Sequence, residues 1–122
     1  MSQLILIVDD NGNNRKLAHD VLEFAGFTTI EATGGVEGVA LAIERNPDLV
    51  LMDIRMPDLN GTEALKLLRE DSRTAEIPIV ALTSSTMHGD EDRFLGEGFD
   101  GYLAKPISVR EFPDQVRSFL RE

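Results

Sequence analysis

Leu4-Ile5-Leu6-Ile7-Val8-Asp9-Asp10 is five unbroken apolar residues closed by two acids. A run of this length, rich in branched side chains and without polar alternation, reads as a strand covered on both faces, as in a parallel sheet. Downstream, Leu17, Val21 and Phe24 recur at helical spacing between Asn13 and Ala25, and Gly26 supplies the stop. A strand over Phe27 to Glu31 follows, then a helix marked by Val36, Ala40 and Ile43, weakened by Gly35 and Gly38 and broken at Asn46-Pro47. Asp48 to Asp53 is the third strand, Thr62 to Glu70 a helix carrying Leu65 and Leu68, and Ile77 to Thr83 the fourth strand. A short helix over about Gly89 to Glu97, a strand over Gly101 to Ala104 and a helix with Phe112, Val116, Phe119 and Leu120 on one stripe complete the alternation. Strand and helix alternating five times predict an α/β fold, a doubly wound five-stranded parallel sheet with right-handed crossovers, (βα)5.

The length of 122 residues fits one domain over 1–122, and no repeat, linker or low-complexity segment interrupts it. The apolar runs are far shorter than the ~20 residues a spanning helix needs, and no secretory leader pattern opens the chain, so the cytoplasm is the expected compartment and no membrane is a partner. With no cysteine, any metal must be held by oxygen or imidazole. A formal charge of -10 excludes unaided binding to a nucleic-acid backbone, which needs clustered Lys and Arg, and directs the search to protein partners.

In a sheet of this kind ligands bind beyond the carboxyl ends of the strands. That places Asp9, Asp10, Asp53, Thr83 and Lys105 at one edge. An acid at a strand end is commonly a solvated loop residue or a helix cap, and a lone Asp53 or Lys105 would mean little. Three carboxylates meeting where neighbouring strands end would repel one another or be forced to protonate, unless a cation intervenes. A hard divalent ion resolves this: Mg²⁺ takes oxygen ligands from few protein groups and keeps room for phosphoryl oxygens. An aspartate can itself attack a phosphoryl group to give an acyl phosphate, the site then needing mainly alignment and charge neutralisation. Asp53 is the expected nucleophile, Lys105 a second positive charge, and the Thr83 hydroxyl and Ser84 amide the hydrogen-bond donors.

Asp9-Asp10 after the first strand, Asp53 followed by Met56-Pro57 and Gly61, Thr83 after the fourth strand and Lys105-Pro106 after the fifth resemble the response-regulator receiver domains, over essentially the whole chain. The resemblance implies the flavodoxin-like strand order 2-1-3-4-5 and phosphorylation of Asp53 by a histidine kinase or histidine phosphotransfer protein. It also implies Mg²⁺ held by Asp10, Asp53 and the backbone carbonyl of Arg55, with Asp9 supporting it, and a switch pair, Thr83 and Tyr102. In that scheme Thr83 moves toward the phosphoryl group, Tyr102 fills the vacated space, and the thinly anchored helix at 89–97, with only Phe94 and Leu95 as large apolar residues, shifts. The stretches Met87-His88-Gly89-Asp90 and Lys105-Pro106-Ile107-Ser108-Val109 are similar to single-domain regulators of the DivK type. With no effector domain in view, output is expected through docking on a downstream protein target or onward transfer of the phosphoryl group, and the chain is not expected to be an enzyme.

Other readings compete. A Mg²⁺-dependent phosphatase with an aspartyl nucleophile generally carries a second Asp two positions on, where this chain has Arg55. A flavodoxin-like cofactor carrier needs hydroxyls and glycine amides where Asp9-Asp10 stands. A phosphorylation-independent docking module, or a receiver excised from a hybrid kinase, shares the fold. The complete acid set disfavours the first, and a chain running from Met1 to just past the fifth helix is expected to be complete. His19 and His88 read as solitary exposed residues, Gly34-Gly35 as a tight turn, and Arg55 and Ser85 as influences on water access and acyl-phosphate lifetime. Gly12 should loosen the start of its helix by up to ~1 kcal/mol relative to Ala. Pro113 should distort the first turn of the last helix or delay it.

Overall fold

In the computed structural model, which describes residues 3–83, 96–105 and 107–120, five strands stand in one parallel sheet. They are β1 (Leu4–Val8), β2 (Thr28–Ala32), β3 (Leu49–Asp53), β4 (Ile79–Thr83) and β5 (Gly101–Ala104), in the order β2-β1-β3-β4-β5. Four helices are seen among the described residues: α1 (Gly12–Phe24), α2 (Gly35–Arg45), α3 (Gly61–Glu70) and α4 (Phe112–Phe119). The helix expected over 89–97 lies outside the described residues except for Gly96 and Glu97, which are helical. Strand four begins at Ile79 rather than Ile77, because Pro78 has no N–H to give and the Ile77 N–H turns back to the Thr74 carbonyl at 3.1 Å.

Side chains alternate across the pleat into two cores. Ile5, Ile7, Leu49, Leu51, Val80 and Leu82 pack with α1 and α4 on one face. Leu6, Val8, Val50, Met52, Ile79 and Ala81 pack with residues of α2 and α3 on the other. This is the two-sided burial that unbroken apolar strands demand.

The expected apolar stripes of the first two helices are corrected by the structure. In α1 the buried residues are Ala18 and Leu22, whereas Leu17 is exposed and Phe24 is 97% exposed. In α2 Val36 and Ala40 face outward, and the buried residues are Gly35, Gly38 and Ala42. A Cβ on Gly38 would lie 2.8 Å from both Val8 Cγ atoms, so the small residues that looked like weaknesses are what lets α2 lie close on β1. The stripes of α3 and α4 hold, with Leu65, Leu68, Phe112 and Val116 buried.

Helix ends follow local chemistry. Gly26, at φ 101°, ends α1: its N–H bonds the Glu23 carbonyl and that of Phe27 bonds Leu22, the paired closure that a left-handed residue permits. Asn46, at φ 45°, closes α2 with a single bond from its N–H to the Ala42 carbonyl at 3.0 Å, since Pro47 has no N–H for a second. Gly12 heads α1 behind Asn11, whose Oδ1 accepts from Asn14 N at 3.0 Å. Pro113 occupies the first turn of α4, where a missing N–H has no intrahelical partner to lose, so neither distortion nor delay is required. Gly34-Gly35 is a helix start rather than a tight turn: Gly34 is extended, and the amides of Gly35 and Val36 are each capped at 3.1 Å by the Asp58 carboxylate.

Candidate functional site

Register and pleat together assemble the site. Val8 pairs with Met52, Asp53 with Leu82 and Thr83 with Ala104, so Asp9, Asp53, Thr83 and Lys105 reach the same edge of the sheet. Asp9 follows Ile5 and Ile7 at intervals of two, Asp53 follows Leu49 and Leu51, and Lys105 follows Leu103, so all three continue the α1/α4 face. Thr83 follows Ile79 and Ala81 and belongs to the other face, as does Tyr102, which pairs with Ala81 on β5.

Asp9 and Asp53 are buried, at 1% and 6% exposure, whereas Asp10 is exposed. Lys105 Nζ lies 2.9 Å from Asp9 Oδ2 and 3.2 Å from Asp53 Oδ2, joining the two acids. The other oxygen of Asp9 accepts from Asn11 N at 2.9 Å, and Asp53 Oδ1 accepts from Arg55 N at 3.2 Å. One carboxylate oxygen from each of Asp9, Asp10 and Asp53 lies within 4.8 Å of the others, an all-oxygen donor set of the kind that suits a hard divalent cation. Together with Thr83, Lys105, Arg55, Asn11 and Asn14 these acids line a cleft of about 180 Å³.

Burial, and then the charge of Asp9, push the Asp53 carboxyl up to about 6 against the opposing pull of Lys105. For Lys105, burial favours the neutral amine, but its hydrogen bond to Asp9 and the charges of both acids outweigh this and hold it above its ordinary value. Lys105 thus offsets only part of the cost of ionising Asp53 in this buried setting, a cost that a bound cation would lower.

The loop after β3 is shaped by a glycine. Gly61 N bonds the Ile54 carbonyl at 2.9 Å, and a Cβ there would lie 2.6 Å from the Asp53 carbonyl oxygen, so the chain can fold back beside the acid only without a side chain.

The structure thus brings together Asp9, Asp10, Asp53, Arg55, Thr83 and Lys105 and sets Tyr102, half-buried, on the neighbouring strand. Ser84, Ser85, His88 and Pro106 lie outside the described residues. Sequence reading missed Asn11, which caps α1 and holds Asp9; an Asn immediately ahead of the helical pattern is the signal that would have found it. It also missed Arg15, whose Nη1 donates to the Asp9 carbonyl at 2.8 Å. His19 is not solitary: its Nδ1 meets the Thr29 hydroxyl and lies 3.9 Å from Glu31 Oε2.

An acid cluster with a bridging lysine, at the strand ends of a sheet ordered 2-1-3-4-5, defines a class, and the chain belongs to the response regulator receiver domain family, whose model matches residues 5–117. Over 120 residues, 98% of each chain, it is 42% identical to the polar-differentiation response regulator DivK of Brucella ovis and equally to that of Brucella anthropi. Among solved structures, the Vibrio cholerae chemotaxis response regulator CheY4 matches with a TM-score of 0.92 at 28% identity, over 98% of this chain and all (100%) of that one. The receiver domain of the sensor histidine kinase PA1611 of Pseudomonas aeruginosa, with a magnesium ion coordinated in its active site cleft, matches with a TM-score of 0.88 at 31% identity over 98% of each chain. No helix among the described residues is long and apolar enough to cross a membrane.

Proposed function

We propose that this chain is a single-domain response regulator of a phosphorelay, a switch that accepts a phosphoryl group on Asp53 from a histidine kinase or histidine phosphotransfer protein. The observation that carries the reading is the pairing of a buried Asp53 with Lys105 Nζ at 3.2 Å beside two further carboxylates. A carboxylate oxygen of Asp53 attacks phosphorus, and the bond from phosphorus to the donor's imidazole nitrogen breaks with its electron pair leaving on nitrogen. Lys105 draws charge from the incoming oxygens, and the Thr83 hydroxyl and Ser84 amide donate to them.

Asp10, Asp53 and the Arg55 carbonyl are the residues that would hold Mg²⁺. Asp9, the most buried of the three acids at 1% exposure and the one Lys105 approaches most closely, at 2.9 Å, would support the site rather than bind the ion directly. When bound, the ion supplies the positive charge that lets Asp53 stay ionised and phosphoryl oxygens approach. Thr83 and Tyr102, on the same face of adjacent strands, are the switch pair: the hydroxyl of Thr83 turns to the phosphoryl group and the ring of Tyr102 moves into the space behind it. Output is docking on a downstream protein. The chemistry is the same for a chain that works alone and for a receiver excised from a hybrid kinase.

Incubation with a small acyl phosphate donor, with and without Mg²⁺, read by intact mass beside an Asp53→Ala variant, tests this. A single phosphoryl gain that needs both Mg²⁺ and Asp53 is expected. Mg²⁺ binding without any gain would overturn it in favour of a phosphorylation-independent docking module.

A further inference from the structure

Arg15 holds the peptide that joins the two N-terminal acids. Its side chain is 18% exposed; Nη1 donates to the Asp9 carbonyl at 2.8 Å, and Nε lies 3.4 Å from Glu31 Oε1 on β2. The Asp9 carbonyl and the Asp10 amide share one rigid plane, so fixing the carbonyl fixes the direction in which Asp10 leaves. Asp10 is exposed, and packing does little to orient it. A planar guanidinium with partners in two directions is well suited to this, because little freedom is lost per bond formed.

We propose that Arg15, braced by Glu31, is a positioning residue for the divalent-cation site: it presents Asp10 to the ion by clamping the Asp9–Asp10 peptide. The inference rests on the reading of Asp10 and Asp53 as cation ligands. Position and charge predict opposite signs. Removing a cation from the neighbourhood of three acids would by itself tighten Mg²⁺ binding, whereas loss of a clamp weakens it.

The test uses the whole chain and Mg²⁺ alone, following the amide NMR shifts of Asn11 and Arg55, and then initial rates of phosphorylation by an acyl phosphate against Mg²⁺ concentration. The charge-balanced double variant Arg15→Met, Glu31→Gln and the charge-keeping Arg15→Lys are each expected to raise the half-saturating Mg²⁺ about tenfold while the rate at saturating Mg²⁺ is retained. A half-saturation that is unchanged or lower in the double variant, or fully restored by Lys, would overturn the clamp. Urea unfolding checks the fold, and should the double variant not fold, Arg15→Lys decides the matter alone. A wild-type chain with no Mg²⁺ response at Asn11 and Arg55 would sink the cation-site reading itself; a wild-type response with indifferent variants would sink only the clamp.

Discussion

Replacing Asp53 by Asn should stabilise the metal-free protein at neutral pH, although it removes one partner of an ion pair. The Asp53 carboxyl titrates at about 6 in the fold against 3.8 ordinarily, with burial as the main cause and the Asp9 charge next. A raised folded-state value means that the native state binds the proton more tightly than the unfolded chain, so this group's contribution to stability falls as pH rises from about 4 to about 6 and is level above that. Working the two titrations through linkage gives a penalty of about 1 kcal/mol at pH 4.5 and about 3 kcal/mol at pH 7.5. Asparagine carries no such penalty, and Lys105 keeps Asp9 at 2.9 Å. Urea unfolding in a chelator at the two pH values is the assay, and differencing variant against wild type cancels the titrating groups that do not interact with Asp53. The variant should be more stable by an amount that grows by about 2 kcal/mol between pH 4.5 and pH 7.5. Saturating Mg²⁺ should narrow the gap, since the ion stabilises the wild type more. An Asn variant less stable than wild type at pH 7.5, or a gap indifferent to pH, would refute the claim that Lys105 offsets only part of the cost of ionising Asp53.

Lys105→Met removes the charge that opposes burial at Asp53, so the carboxyl ¹³C titration of Asp53 should move above 6; an unmoved midpoint would show that Lys105 does not couple to it. Gly38→Ala should destabilise by about 1–3 kcal/mol in denaturant unfolding despite the better helix propensity of Ala, because the added methyl meets Val8 at 2.8 Å. A gain in stability would mean that α2 slides away freely. Asp58→Ala uncaps α2, and amide exchange should quicken at Gly35 and Val36 before anywhere else in that helix. These same bonds hold the Asp58 carboxyl below its ordinary value, so its contribution is present at neutral pH and is lost as pH falls through that lowered value.

Strand positions were readable because one pattern settles both existence and facing. Leu4 to Val8, Leu49 to Met52 and Ile79 to Leu82 are apolar at every residue, which only two-sided burial explains, and the alternation of the pleat then assigns each side chain to a core without further information. The placement of the candidate site acids follows from it, since Asp9 and Asp53 extend the same alternation by one step beyond the last apolar residue.

Helix faces were not readable in the same way. A helix turned about its axis by a fraction of a turn buries a different stripe, and in α1 and α2 the large side chains mark the buried one only in part. Phe24 stands in water while Ala18 and Leu22 are inside, and in α2 the tightest contact belongs to Gly38. Hydrophobic size predicts burial where a helix stands off the sheet, as with Leu65 and Leu68 of α3, and fails where the helix must come close, because closeness selects small residues.

The same distinction separates the candidate ligands from what holds them. A carboxylate cluster announces itself by type and by strand-end position, but Arg15 and Asn11 act through one backbone carbonyl and one backbone amide, and any polar surface residue offers such groups. Their significance lies in a three-way geometry, with Asp9 pinned at its carbonyl by Arg15 and at its two carboxylate oxygens by Asn11 and Lys105. Such an arrangement costs three converging contacts on one buried acid. A fold that needed only to fill this space would be served as well by apolar side chains in place of Asp9 and its charged partners together, since such replacement is often neutral or stabilising. Retaining the pinned, charged Asp9 is therefore better explained by the demand for a fixed anionic rim next to Asp53 than by stability. The Asp53→Asn experiment measures the same conflict at the neighbouring acid, as the stability given up to keep the charge of Asp53.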